Sequence, residues 1–284
     1  MPPINFLAKI IENKKQRLAF ERTRVPLEVL RAKSLDARAN ARPHLLWSAL
    51  SRKSHINVIA EIKRASPSKG DIRRDLEPEV LARLYEAGGA SAISVLTEED
   101  HFRGSLDDLR AVRRAVSLPV LRKDFIFDEY QVYEAAEAGT DALLLIVAAL
   151  DVETLARLHR LVEELQMDAL VEVHTVEEMQ RAHACGARIV GVNNRNLQTF
   201  DVSLDVSIEL ASHAPDGVSL VSESGLRDAE DLRRLRTHGY NGFLIGERLM
   251  LAKNPGKTLR ALIEGVERNI SEVVFEDNQS RSGN

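Results

Sequence analysis

The chain carries a single cysteine, Cys185, in 284 residues. Neither an intramolecular disulfide nor a two-thiol metal site can be built from it, a pattern that fits a reducing compartment. Aromatic residues make up only 5%, so any large core must be aliphatic. No apolar run approaches the ~18 residues of a membrane helix, and the longest, Ala142–Leu150, falls far short. The opening segment, MPPINFLAKIIENKKQRL, interrupts its apolar positions with Lys, Asn and Glu, unlike a signal peptide. An excess of one charge is missing too: Lys+Arg total 39 against Asp+Glu 43, a net charge of −4. That balance argues against a dedicated nucleic-acid binder, whose footprint is basic. It leaves room for a few local cations around a small anion. The eight histidines show neither HxH nor HExxH spacing, so no metal site is expected. His174, His183 and His238 lie on or beside helical stretches and read as surface residues. Dinucleotide, P-loop and nucleophile-elbow motifs are all missing. The expectation is a soluble cytoplasmic protein, monomeric or weakly homo-oligomeric, without a nucleic-acid or membrane partner.

What is present is a repeat of form. From residue 57 onward, short β-branched apolar runs alternate with stretches of helical period. The runs are Asn57–Glu61, Ser91–Leu96, Pro119–Arg122, Asp141–Val147, Asp168–Val173, Arg188–Asn193, Val218–Ser222 and Gly242–Ile245. Runs this apolar, without clean alternation, suit parallel strands buried on both faces. Helical stretches at Glu79–Ala87, Asp128–Ala138, Val176–Cys185 and Asp228–His238 each end at glycine, the expected left-handed terminator. Asp151 and Thr175 occupy N-cap positions. Intervals of 20 to 34 residues between strand starts fit βα units of about 30 residues. Eight such units predict a (β/α)₈ TIM barrel over 57–270. An open doubly wound sheet is the competitor, but its glycine fingerprint is replaced by KRASPSKG in the first βα turn. Residues 1–56 read as an N-terminal helical extension packed on the barrel: an amphipathic helix over Ile4–Phe20 with a basic polar face, then Pro26–Ala32 and His44–Leu50. Residues 271–284 are polar and unpatterned and read as a disordered tail.

In such a barrel, chemistry sits where strands end. Glu61 and Lys63 close the first run on one side of the strand, Lys123 closes the third, and Glu172 lies between two valines in the fifth. The sixth ends at Asn193 and Arg195, and the seventh at Glu223 and Ser224. A single charged strand end is commonly a solvated turn. A carboxylate between apolar neighbours, such as Glu172, must instead pair or do chemistry. Two lysines among three carboxylates can push each other's pKa values apart and supply both a proton donor and an acceptor. Gly225 and Gly246 lie in the loops after strands 7 and 8, where backbone N–H groups and a short helix start can cradle a phosphate. Ser66, Ser68 and Lys69 of the first loop can add donors.

The strings VIAEIKRASPSKGDI, VLRKDFIFDEYQVYEA, DALLLIVAAL, VEVH, IVGVNNRNLQTF, LVSESGL and GFLIGERLM closely resemble the indole-3-glycerol phosphate synthase family. The similarity runs in order over roughly residues 4–265 and includes the extension ahead of the barrel. The resemblance implies a carboxy-lyase of tryptophan biosynthesis that needs no cofactor. Such an enzyme converts 1-(2-carboxyphenylamino)-1-deoxyribulose 5-phosphate to indole-3-glycerol phosphate with loss of carbon dioxide and water. It further implies that Lys123 is the general acid at the ketose oxygen and that Glu172 faces the substrate nitrogen. Glu61 and Lys63 would serve dehydration, Asn193 the substrate hydroxyls and Arg195 the carboxylate. Glu223 and Ser224 would complete the polar ring, Phe125 and Leu197 would hold the aromatic ring, and Ser66, Gly225 and Gly246 the phosphate. Glu247 departs from the small hydroxyl residue of many members, and only its backbone N–H is expected to face the ligand. A phosphoribosylanthranilate isomerase-like activity and a non-catalytic phosphate-binding barrel are the alternatives; the double-lysine, triple-carboxylate ring suits the first poorly, and the presence of both Lys123 and Glu172 argues against the second.

Overall fold

The computed structural model describes residues 6–73 and 75–267. Eight strands pair in parallel: β1 (Asn57–Ile62), β2 (Ala92–Leu96), β3 (Val120–Lys123), β4 (Ala142–Ile146), β5 (Asp168–Val173), β6 (Ile189–Asn193), β7 (Ser219–Glu223) and β8 (Tyr240–Ile245). Each pairs with the next in sequence, and β8 closes onto β1 through Asn57↔Gly242 to Ala60↔Ile245. The expected barrel is therefore the observed one. The strands fall within a residue or two of their predicted positions, β8 starting earliest relative to expectation, at Tyr240.

Alternation along each buried strand splits the apolar residues into two populations. Val58, Ala60, Ile93, Val120, Leu143, Val171, Val190 and Phe243 point outward and pack under the helices. Ile59, Ala92, Leu121, Ala142, Leu170, Ile189, Val221 and Leu244 point inward and fill the barrel. This second cluster is almost wholly aliphatic, as the scarcity of aromatics required.

The extension wraps the barrel rather than forming a core of its own. Helix α1 (Phe6–Arg24) runs over the loops that follow β2 and β3, through Arg17 to Glu99 and Asp100 and Arg22 to Asp128. Its expected start at Ile4 lies outside the described residues. Helix α2 (Leu27–Arg38) is anchored by Arg38, whose guanidinium donates to the carbonyls of Thr140, Leu165 and Gln166. Helix α3 (Leu45–Leu50) plugs the N-terminal end of the barrel, with Leu46 and Leu50 buried in the inner cluster. Asp168, at the foot of β5, accepts from the Trp47 backbone N–H at 3.0 Å and so fixes that plug. The basic face of α1 is not wholly solvated: Lys14 is buried and reaches Asp124 at 2.8 Å.

The outer ring comprises α4 (Pro78–Ala87), α5 (Leu106–Ala115), α6 (Glu129–Glu137), α7 (Val152–Glu164), α8 (Val176–Ala184), α9 (Asp205–Ala211) and α10 (Ala229–Thr237). A single-turn helix, α11 (Glu247–Met250), and a helical stretch over 255–267 complete it. Asp151 and Thr175 cap their helices through backbone N–H groups. Asp128 and Asp228, read above as first helical residues, are also N-caps. Gly89, Gly139, Gly186 and Gly239 all adopt positive φ at the predicted helix ends. The expected tail at 271–284 lies outside the described residues.

Candidate active site

The inward-facing residues change character along each strand. In steps of two they read Ile59–Glu61–Lys63, Leu121–Lys123–Phe125, Leu170–Glu172–His174, Ile189–Gly191–Asn193–Arg195 and Val221–Glu223–Gly225. The lower layer is apolar and tight. The upper layer is charged, because the barrel opens there and the ends of the strands meet loops instead of another packed layer. Every residue singled out in the sequence as catalytic, substrate-binding or phosphate-binding lines one cavity of about 610 Å³ at this mouth. That volume falls within the ~300–1,000 Å³ of small-molecule sites.

Lys123 occupies the centre. Its ammonium lies 2.8 Å from Glu223 Oε2 and 3.3 Å from Glu172 Oε2. Burial opposes its charge, but Glu223, Glu172 and Glu61 outweigh that and hold the ammonium well above the usual lysine range. The carboxylates divide. Burial raises Glu172 as well, yet Lys123, His174 and an Asn193 hydrogen bond bring it below the ordinary carboxylate range. Glu223 is pushed up to about 7 by burial and by its proximity to Glu172 and Glu61, with Lys123 opposing. One cluster thus contains a committed anion, a committed cation and a carboxyl that titrates near neutrality.

Beside this trio, Lys63 donates to Glu61 Oε1 at 2.6 Å. Asn193 Oδ1 accepts from the Ser224 hydroxyl at 2.9 Å and from the Arg195 backbone N–H at 3.0 Å. Buried Asn194 ties the loops after β6 and β7 together, donating to Ser222 Oγ and to the carbonyls of Glu223 and Ser224.

Two glycines are required by close approach. A methyl at Gly246 would overlap the Glu61 carboxylate, and one at Gly191 would overlap Glu223 Oε1. Ser224 and Gly225 both take positive φ, +67° and +81°, and both line the cavity. Gly246 stands at the start of α11. Ser66 borders the same side in a two-residue antiparallel pairing with Gly70. The Glu247 side chain does not turn away from this region: its Oε1 lies 3.5 Å from Lys69 Nζ. The pair masks much of the negative charge that would oppose a phosphate. Among the described residues, no group of three or more His, Cys, Asp or Glu side chains could hold a metal ion, and no helix is long and apolar enough to cross a membrane.

Apolar side chains line the cavity as well: Phe125 and Leu197, with Leu96, Phe102, Leu144 and Ile146, and Leu7 of α1. Phe102 and Phe125 have ring centroids 6.3 Å apart. Glu98 holds the Phe102 loop by accepting three successive backbone N–H groups. Sequence reasoning missed Leu7 and Phe102, which lie off the strands. It gave no role to Asp124, next to Lys123 at the end of the third run, which is a buried hub that accepts from Lys14, Arg122 and Thr97 and is depressed, against burial, by the two cations. His183 and His238 are exposed as expected. His174 is not: it is mostly buried, 3.7 Å from Glu172 Oε1. Continuing the two-residue step of β5 beyond Glu172 would have placed it at the mouth.

The family model described as indole-3-glycerol phosphate synthase matches residues 7–262. A curated relative of that name from Carboxydothermus hydrogenoformans is 47% identical over 262 residues, covering 91% of this chain and 99% of its own. Another, from Leifsonia xyli, is 49% identical over 257 residues, covering 90% and 97%. Among solved structures, 3-hexulose-6-phosphate synthase from Salmonella typhimurium aligns with a TM-score of 0.60 at 15% identity, covering 75% of this chain and 99% of that one. Thiamine phosphate pyrophosphorylase from Pyrococcus furiosus aligns at 0.57 and 17%, covering 76% and 98%. These two share the fold alone. By the family match and its relatives, the chain belongs to the indole-3-glycerol phosphate synthase family.

Proposed function

We propose that the residues gathered at this mouth close the indole ring of 1-(2-carboxyphenylamino)-1-deoxyribulose 5-phosphate, the reaction that the family's name implies. The observation that carries the reading is Lys123 between Glu172 and Glu223, in a cavity lined by both the glycine-containing loops and apolar side chains. The phosphate binds at Ser66, Gly225 and Gly246, where backbone N–H groups substitute for water. Lys69 stays beside Glu247 and offsets the charge of that carboxylate. The aromatic ring lies against Phe125 and Leu197, and Arg195 meets its carboxylate.

The ring carbon bearing the carboxylate attacks the ketose carbon, and Lys123 delivers a proton to the carbonyl oxygen as that bond opens. Carbon dioxide then leaves from the same ring carbon, and its bonding electrons restore the aromatic ring. The nitrogen lone pair next expels the hydroxyl as water, with Lys63 and Glu61 attending the proton transfer. A cation is left at nitrogen until a proton is lost from the adjacent carbon. Glu172, ionised and aimed inward, stabilises that cation. Glu223, titrating near neutrality, takes up and returns protons across the cycle. Asn193 and Ser224 hold the substrate hydroxyls. The setting is cytoplasmic, in keeping with a lone free cysteine.

The test is direct. Purified protein mixed with the carboxyphenylamino-deoxyribulose phosphate should produce indole absorbance and fluorescence together with one carbon dioxide per indole formed. No signal at micromolar enzyme would defeat the proposal. Turnover of the phosphoribosylanthranilate precursor in its place would favour the isomerase reading.

A further inference from the structure

His174 follows Glu172 by two residues and lies on the same inner side of β5. Both of its ring nitrogens meet a carboxylate. Nδ1 is 3.3 Å from Glu178 Oε2, and Nε2 is 3.7 Å from Glu172 Oε1. Glu178 Oε2 also accepts the His174 backbone N–H at 2.7 Å, so the first turn of α8 fixes ring and main chain together. A neutral imidazole has one N–H and one lone pair. It would turn that lone pair on one of the two carboxylates. A proton on Nδ1 is hydrogen-bonded to Glu178, and one on Nε2, outside hydrogen-bond reach, is favoured by the charge of Glu172.

Glu172 is equally two-sided. Its Oε2 faces Lys123 at 3.3 Å, while Oε1 faces the His174 ring. Rotation of that carboxylate is therefore set from both sides, by Lys123 and an Asn193 hydrogen bond and by the charge of the ring behind it. We propose that His174 is a positioning residue, an imidazolium clamped by Glu178 that holds one oxygen of Glu172 so that the other stays directed at Lys123 and the reacting nitrogen. This rests on the reading of Glu172 as the carboxylate that serves that nitrogen. At 3.7 Å the contact with Glu172 lies outside hydrogen-bond reach and acts through charge. The groups that bias the ring are Glu178 from α8, Glu172 from β5 and Glu223 from β7. Burial lowers its basicity, and those three carboxylates together raise it above the usual histidine range. His174 in turn lowers Glu172, alongside Lys123.

The experiment compares His174→Gln, His174→Leu, Glu178→Gln and Glu172→Gln with the wild-type protein by steady-state kinetics across pH. Glutamine at 174 keeps a polar side chain and removes the charge. Both His174 variants should lose about tenfold in kcat with KM within about twofold. The acid limb, the joint titration of Glu172 and Glu223, should move up by about one pH unit in each, because a carboxylate without its cation is harder to ionise. Glu178→Gln leaves the His174 side chain in place and keeps an acceptor for its backbone. It should move the limb in the same direction by less. A limb that stays in place in His174→Gln and Glu178→Gln, or a loss confined to KM, would overturn the proposal. Glu172→Gln separates the two levels: if it retains full turnover, the reading of Glu172 itself fails; if it is inactive while the limb stays fixed in the others, only the role of His174 fails.

Discussion

Gly191→Ala adds one methyl and removes no functional group, which makes it a sharp test of how the charged layer is held. Gly191 sits on the inner face of β6, and its missing side chain leaves room for the Glu223 carboxylate. An alanine Cβ there would overlap Glu223 Oε1 and lie 3.2 Å from both Glu223 Cδ and Leu170 Cδ1. To regain ordinary contact distance the carboxylate must retreat by about 1 Å. It is the end of a flexible side chain, so the fold can yield, and the stability loss should be about 1 kcal/mol. The consequence for chemistry is larger. Glu223 Oε2 is 2.8 Å from Lys123, and that contact cannot be kept by a carboxylate displaced by about 1 Å. Misplacement on that scale costs on the order of 100-fold in rate. Steady-state kcat, followed by indole fluorescence, should fall roughly 30- to 100-fold while the urea midpoint barely moves. A kcat within threefold of wild type would refute the reasoning. So would a stability loss above about 3 kcal/mol, which would mean that the strand and not the carboxylate gives way.

Two further outcomes follow from the same geometry. Glu223, raised by burial to about 7, has to ionise before it can accept a proton, so the kcat profile should fall as pH drops through about 7. Glu223→Gln should lower kcat on the order of 100-fold and flatten the profile between pH 6 and 8; an unchanged limb in that variant would contradict the assignment. Leu50, buried in the plug, should cost about 2–5 kcal/mol when replaced by alanine. Denaturant unfolding checks this, and a loss below 1 kcal/mol would show that α3 is only laid against the barrel.

Much of this fold was legible because it is periodic at two scales. The βα repeat fixes the barrel, and the two-residue alternation decides which residues see its interior. Glu61, Lys123, Asn193 and Glu223 could be chosen from sequence because each stands where an apolar run ends, and Glu172 because it interrupts one, where a charge is costly unless it is paired. What was not legible came from residues whose local surroundings mislead. Lys14 lies among other polar residues on α1, and nothing local says that it will be buried against Asp124. His174 stands just before a helix cap and resembles a solvated turn, although the inner-face step continues through it. Leu7 and Phe102 reach the cavity from a helix and a loop with no strand alternation to mark them. Glu247 turned toward Lys69, a partner set by how the first loop folds back, which spacing does not encode.

The central claim is that Lys123 supplies the proton that opens the ketose carbonyl. The most direct measurement is single-turnover conversion of the carboxyphenylamino-deoxyribulose phosphate by Lys123→Ala, paired with its affinity for indole-3-glycerol phosphate. General-acid catalysis predicts a rate lower by about a thousandfold, with product affinity within a few-fold of wild type. Turnover surviving within tenfold would contradict the account, and Lys123 would then be a member of an ion-pair network without a proton to give.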